Sequence, residues 1–137
     1  MSKNYLLDTN IVSAILKKNE KINKKMEQVR RQGQSAFISG ITYYEVKRGL
    51  LASNATRKLL DFNFFCRNYR VLPVLNEIEV LEKASEIHAD VKRQGRLLED
   101  ADILIAATAI AQGIIIVSHD LDMQRVTGIT IEDWLES

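Results

Sequence analysis

The stretch DADILIAATAIAQGIIIVSHD, residues 100–120, decides how this chain folds. Residues 100–112 are almost entirely apolar, carry acids only at their start and stop at Gly113. They read as a central, buried helix closed by a glycine cap. Ile114 to Val117 follow at once, apolar at every position, as in a strand covered on both faces. That strand runs into Ser118, His119 and Asp120, just as Tyr5, Leu6 and Leu7 run into Asp8 near the start of the chain. In open α/β sheets, ligands and chemistry sit at the carboxyl ends of the strands. A carboxylate at each of those two ends, with Asp102 heading the helix between them, is hard to explain by packing. Several acids drawn from distant parts of a chain point to a hard metal ion.

Outward from that stretch, short apolar runs alternate with helical periodicity. Residues 4–7 read as a short buried strand, and Ile11, Val12, Ile15 and Leu16 then follow helical spacing. Residues 20–32 read as an exposed helix ended by Gly33. Ala36 to Ser39 is a second strand, and Gly40 and Thr42 lead into a helix through Val46, Leu50 and Leu51. Residues 55–69 form a further helix, rich in phenylalanine, and Val71 to Val74 is a strand whose Pro73 suits a sheet edge. Residues 77–94 make a long amphipathic helix with Ile78, Leu81, Ala84, Ile87 and Val91 on one face; Ile129 to Ile131 is a last strand before Trp134. This alternation predicts an α/β fold of three layers, with a short, mainly parallel sheet between helices. Right-handed crossovers put the strand ends carrying Asp8 and Asp120 on one edge. The edge from which the 100–112 helix enters stays open.

A hydrophobic share of 46% against 27% charged puts the 137 residues in the globular class, with enough chain for one cored domain over residues 1–137. No apolar run approaches the roughly 20 residues that span a bilayer, so no membrane association is expected. The opening apolar stretch is short and stops at Asp8, unlike a secretory leader. One cysteine, Cys66, excludes an internal disulfide and fits a reducing cytoplasm, the expected location. A net charge of +1 excludes a polycation, but basic residues cluster at Lys17, Lys18, Lys21, Lys24 and Lys25, at Lys47 and Arg48, and at Lys92, Arg93 and Arg96. They read either as solvated helix faces or as a basic rim gripping a phosphate backbone.

Each acid also has a structural reading. Asp8, ahead of Thr9 and Asn10, suits a helix cap. Thr42 to Glu45 fits a capping box, with Glu45 bonding back to the cap. Glu99, Asp100 and Asp102 complement a helix macrodipole, and Asp120 and Asp122 suit a turn. The joint pattern favours chemistry: acids converging from separate elements would repel one another, and Mg²⁺ or Mn²⁺ resolves that conflict with oxygen ligands. Zinc is poorly served, because His88, His119 and Cys66 show no ligand spacing. No serine or cysteine has a histidine partner motif, and the six glycines form no phosphate-cradling loop. His119 beside Asp120 is either a proton-transfer aid or a solvated loop histidine. Phe62, Phe64 and Phe65 are either core or a surface for stacking bases.

Four segments together resemble the PIN-domain family. They are Tyr5 to Asn10, Ile38 to Gly49, Leu98 to Ala107, and Val117 to Met123 with Ile131 to Trp134. The last is similar to the closing segment of VapC-type toxins, and all four keep the family's order along nearly the whole chain. The resemblance implies a PIN-like α/β/α domain and a Mg²⁺- or Mn²⁺-dependent endoribonuclease, the toxin of a toxin–antitoxin pair. By position, Asp8, Glu45, Asp102 and Asp120 are its acidic, metal-binding quartet, with Thr9, Asn10 and Ser118 in support. Asp100 and Asp122 are further acids that either bind metal as well or only imitate its ligands, and Met123 stands where phenylalanine is common. Lys47 and Arg48, just after Glu45, are expected to hold RNA. The implied partners are an RNA substrate, a small VapB-like antitoxin and a second copy of the chain. Two alternatives are an RNA-processing PIN nuclease without an antitoxin and a catalytically idle binding module.

Overall fold

The computed structural model describes residues 3–136. These form a sheet of five strands, all parallel, in the order β3-β2-β1-β4-β5. The strands are β1 (Asn4–Leu7), β2 (Ser35–Ser39), β3 (Arg70–Leu72), β4 (Ile115–Val117) and β5 (Ile131–Glu132). The helices are α1 (Thr9–Leu16), α2 (Glu20–Arg31), α3 (Gly40–Ala52), α4 (Thr56–Asn68), α5 (Ile78–Arg93) and α6 (Asp100–Gln112). None of them is long and apolar enough to cross a membrane.

Successive side chains of a strand point to opposite faces, and both faces here are covered. Tyr5, Leu7, Ala36, Ile38 and Val117 join one core with residues of α1, α2 and α4. Leu6 and Ile116, offset by one, join a second core with α5 and α6. That is why the strands read as unbroken apolar runs. Pro73 directly follows β3, which pairs only with β2 at the sheet edge.

β1 is the switch point of this order: β2 lies to one side of it and β4 to the other. The crevice outside such a point is where parallel sheets place ligands. Asp8 and Ser118 are the residues that follow β1 and β4 there, joined by a bond from the Asp8 amide to the Val117 carbonyl at 2.9 Å. Gly113 takes the left-handed conformation (φ 66°) that lets α6 end and β4 begin with only it and Ile114 between them.

Two readings of faces need correction. Ile78 is 67% exposed, and the buried residues of α5 are Val80, Ala84 and Ile87. At about 100° per residue, Ile78 lies some 200° around the helix from Val80, so only one of them can face α6. The phenylalanine run also divides: Phe62 and Phe65 are core, while Phe64 is 65% exposed. α2 is exposed except for Ile22, Met26 and Val29, which dock it on the sheet.

Candidate active site

Asp8 is the centre of the site and is only 2% exposed. It does cap α1, its Oδ1 accepting from the Thr9 amide at 2.8 Å. Its other oxygen, Oδ2, accepts from the Ser118 hydroxyl at 2.7 Å. The same Ser118 oxygen accepts from the Asp120 amide at 3.0 Å. One buried hydroxyl therefore ties the acid after β1 to the loop that carries the acid after β4. Asn10 closes the arrangement from α1, its Oδ1 accepting from the His119 amide at 3.2 Å.

Glu45 arrives from α3. The cap of that helix is Ser39, whose Oγ accepts from the Thr42 amide at 3.1 Å, so the cap lies three residues before Thr42. The capping-box reading of Thr42 and Glu45 is thereby overturned, and Glu45 sits a turn deeper in the helix. Its Oε1 accepts from the Thr9 hydroxyl at 2.7 Å, and that hydroxyl lies 3.2 Å from the Thr42 hydroxyl. Thr9 and the fully buried Thr42 thus orient Glu45 towards α1.

Asp102 stands in the first turn of α6, with no neighbouring side chain capping that helix. Burial, then the charges of Asp8, Asp120, Glu45 and Glu99, push its carboxyl up to about 6. The same forces act on Asp8. Burial raises its carboxyl, the Ser118 and Thr9 bonds draw it down, and Asp120 and Glu45 raise it again, leaving it above the ordinary range. These four acids come from four separate elements and are near enough to repel one another. No three of the described acids, histidines or cysteines already close on a point that would hold an ion. The donor set is nonetheless all carboxylate oxygen, with only the exposed Arg48 beside one of its members, which fits a hard divalent cation and not zinc.

The remaining candidates lie elsewhere. Asp122 is exposed, pairs with Arg125 at 3.7 Å and gives its amide to Asp120 Oδ1 at 2.9 Å. Asp100 is exposed on α6, and Glu99, one residue earlier, is the acid there that presses on Asp102. Arg48 lies 3.9 Å from Glu45 Oε2 and 4.9 Å from the Tyr44 ring, at the rim. Lys47 turns the other way: its amine bonds Asn63 Oδ1 at 2.7 Å and tethers α3 to α4. His119 turns to Asp133, with Nδ1 2.8 Å from Oδ2. A groove of about 670 Å³ lined by Ile15, Met26, Phe37, Phe65 and their neighbours contains none of the four acids. Three residues that shape the site, Ser39, Thr42 and Asp133, have no site role legible in the sequence. Ser39 alone carried a local signal, a serine between an apolar run and a helical one.

The PIN domain model matches residues 5–129. Ribonuclease VapC2 of Haemophilus influenzae is 30% identical over 136 residues, covering 96% of this chain and 98% of its own. The tRNA(fMet)-specific endonuclease VapC of Shigella flexneri is 30% identical over 132 residues, covering 95% and 97%. The crystal structure of DNA-bound VapBC from Salmonella typhimurium matches with a TM-score of 0.83 and 30% identity, covering 98% of this chain and 99% of the other. The chain belongs to the PIN-domain family, in its VapC branch.

Proposed function

We propose that this protein is the toxin endoribonuclease of a VapBC-type toxin–antitoxin pair, and that it hydrolyses RNA phosphodiester bonds with Mg²⁺ or Mn²⁺. One observation carries the reading: Glu45, Asp102 and Asp120, from three further elements, crowd the buried Asp8 with carboxylate charge that only the exposed Arg48, beside Glu45, partly offsets. Full-length similarity to VapC ribonucleases supports it.

Asp8, Glu45, Asp102 and Asp120 would hold the ion, which when bound supplies an activated water and charge to polarise the phosphate. The chain's own residues prepare that site. Ser118 keeps the carboxylate of Asp8 and the backbone of Asp120 in one register. Thr9 and Asn10 do the same for Glu45 and for the His119 amide. Arg48, half in solvent beside Glu45, is suited to the incoming phosphate backbone. Relatives solved as VapBC support a small VapB-like antitoxin as partner. We extend the proposal to a homodimer acting in the cytoplasm.

The test is cleavage of purified RNA with Mg²⁺, with Mn²⁺ and with a chelator, the Asp8→Asn protein run alongside. Cutting should need the ion and disappear in the variant. Cutting that persists in chelator, or that Asp8→Asn performs at the wild-type rate, would overturn the metal-site reading.

A further inference from the structure

The loop after β4 carries Ser118, His119 and Asp120, and it is held from two sides. On one side Asn10 accepts the His119 amide at 3.2 Å. On the other stand the end of β5 and the segment that follows it. The Glu132 carbonyl accepts the Ser118 amide at 3.0 Å, and Asp133 Oδ2 meets His119 Nδ1 at 2.8 Å. Asp133 is itself fixed, its Oδ1 accepting the Leu135 amide at 2.9 Å.

The segment is anchored in the core by Trp134. That ring is 5% exposed, stands edge-on to Tyr5 with centroids 5.1 Å apart, and gives its Nε1–H to Glu132 Oε1 at 3.0 Å. Two lysines of α2 close over it, Lys25 with its amine 5.9 Å from the Trp134 ring and Lys21 with its amine 3.4 Å from the Leu135 carbonyl. A buried anchor thus carries a nearly buried carboxylate to the side chain between Ser118 and Asp120. The His119 side chain is 58% exposed and adds little to the core. What the His119–Asp133 bond fixes is the backbone on which Asp120 rides.

We infer that Asp133 is a positioning residue for the acidic site: it holds His119, and through it the Asp120 loop, in the register that Ser118 and Asp8 require. His119 is the link and Trp134 the anchor. This rests on the metal-site reading above and adds to it a group from the far end of the chain, about 125 residues from Asp8 by subtraction of their numbers. Its chemistry is that of an outer-shell carboxylate, which sets ligand orientation without touching the ion.

The experiment titrates Mg²⁺ and Mn²⁺ into the intact protein and follows thermal stabilisation without RNA, then measures kcat and KM for RNA cleavage. The variants are Asp133→Ala, Asp133→Asn, His119→Ala and the Asp133→Ala/His119→Ala double variant. In Asp133→Ala the half-maximal ion concentration should rise about 10-fold, as when outer-shell partners of metal ligands are removed. Metal-free melting should fall by about 2–4 °C for the lost Leu135 bond, KM should stay near wild type, and the loss in activity should fall on kcat. Asp133→Asn keeps its oxygen for the Leu135 amide and sets its NH2 donor opposite His119 Nδ1, which accepts it in the Nε2–H tautomer, so this variant should restore the titration. His119→Ala should match Asp133→Ala, and the double variant should fall no further, because both sit in one chain of contacts. An unchanged ion titration in Asp133→Ala overturns the inference. So does an Asp133→Asn protein as impaired as the alanine variant, which would make the residue a fold element only. A wild type that responds to neither ion would overturn the metal-site reading as well, and so is distinguishable from failure at Asp133 alone.

Discussion

Asp8 and Asp102 are two acids of one site, both held above the ordinary carboxylate range, that the fold supports to different degrees. Asp8 follows a central strand and is nearly sealed from solvent, yet two hydrogen bonds, from the Ser118 hydroxyl and the Thr9 amide, favour its charged form. Asp102 rides the first turn of α6, and everything acting on its carboxyl pushes the same way: burial first, then Asp8, Asp120, Glu45 and Glu99. One acid therefore serves the scaffold as cap and anchor as well as the site. Nothing acting on Asp102 offsets its burial, so its charged form costs the metal-free fold stability, as expected of a ligand in the proposed ion site. Unmatched charge left beside a sealed carboxylate is a sign of function that capping acids do not give.

The largest effect that divides them is chemical. Asp8→Asn should lower cleavage about 10³-fold or more, since several kcal/mol of charge stabilisation disappear with a ligand. Asparagine still caps a helix, so the metal-free melting temperature should change little. Asp102→Asn should lose as much activity. Rates for both from the same RNA, with circular dichroism of each, check this; an active Asp102→Asn protein would reduce Asp102 to a helix-start acid. Glu45→Gln should cost less, about 10²-fold, because glutamine still accepts the Thr9 hydroxyl and only the charge is lost. Its melting temperature should hold, while Ser39→Ala, at the true cap of α3, should lose about 1 kcal/mol of stability. Equal thermal losses in the two would restore Glu45 to the cap.

The second difference appears in pH. The Asp102 carboxyl is pushed up to about 6 in the fold, against about 3.9 in an unfolded chain. Between those values the folded state binds more protons, so this group makes stability fall as pH rises from about 4 to about 6. Its contribution is intact below that window and spent above it. In chelator at pH 7.5, Asp102→Asn should melt a few degrees above wild type, for about 1 kcal/mol after allowance for solvent screening. The gain should vanish near pH 4, where both side chains are neutral. Saturating Mg²⁺ should reverse the order at pH 7.5, because only the wild type keeps the full ligand set. Melting curves at both pH values, with and without ion, test all three; a variant that tracks the wild type throughout would mean that Asp102 is not strained.

Much of this was open to reading from residues alone, for reasons the same two acids illustrate. The strands are covered on both faces, so Leu6 to Asp8 and Ile116 to Asp120 show where apolar runs stop and carboxylates begin. Parallel strands then bring those ends to one edge without further information. What stayed closed depends on tertiary register. Nothing local told whether the head of α6 shares that edge, and only packing against β1 and β4 brings Asp102 to Asp8. Thr42 was mistaken for a cap because both it and Ser39 are plausible caps and the end of β2 decides between them. Ile78 and Val80 compete for one helix face, and the choice belongs to α6. Asp133 had no visible partner, since His119 lies on a different strand's loop.

The smallest expected effect separates two adjacent cations. Lys47 and Arg48 are neighbours on α3 and look equivalent as a sequence, yet they face different elements. Lys47 is committed to Asn63 of α4 and the Tyr43 ring, 5.5 Å from its amine. Arg48 is 59% exposed, stacked on Tyr44 and within 3.9 Å of Glu45, so it alone stands at the rim. Arg48→Ala should weaken RNA binding by roughly 3- to 10-fold and lower the salt slope by about 1, the signature of one lost phosphate contact. Lys47→Ala should leave both unchanged and lower the melting temperature by about 2–4 °C, for a hydrogen bond worth about 1 kcal/mol. Metal-induced stabilisation should survive in both, since neither cation can ligate an ion. RNA affinities at several salt concentrations, beside melting curves, decide the matter. If Lys47→Ala flattened the salt slope as much as Arg48→Ala, the Asn63 tether would not hold its amine away from the RNA. The rim would then extend over α4, and the two cations would act together despite their different neighbours.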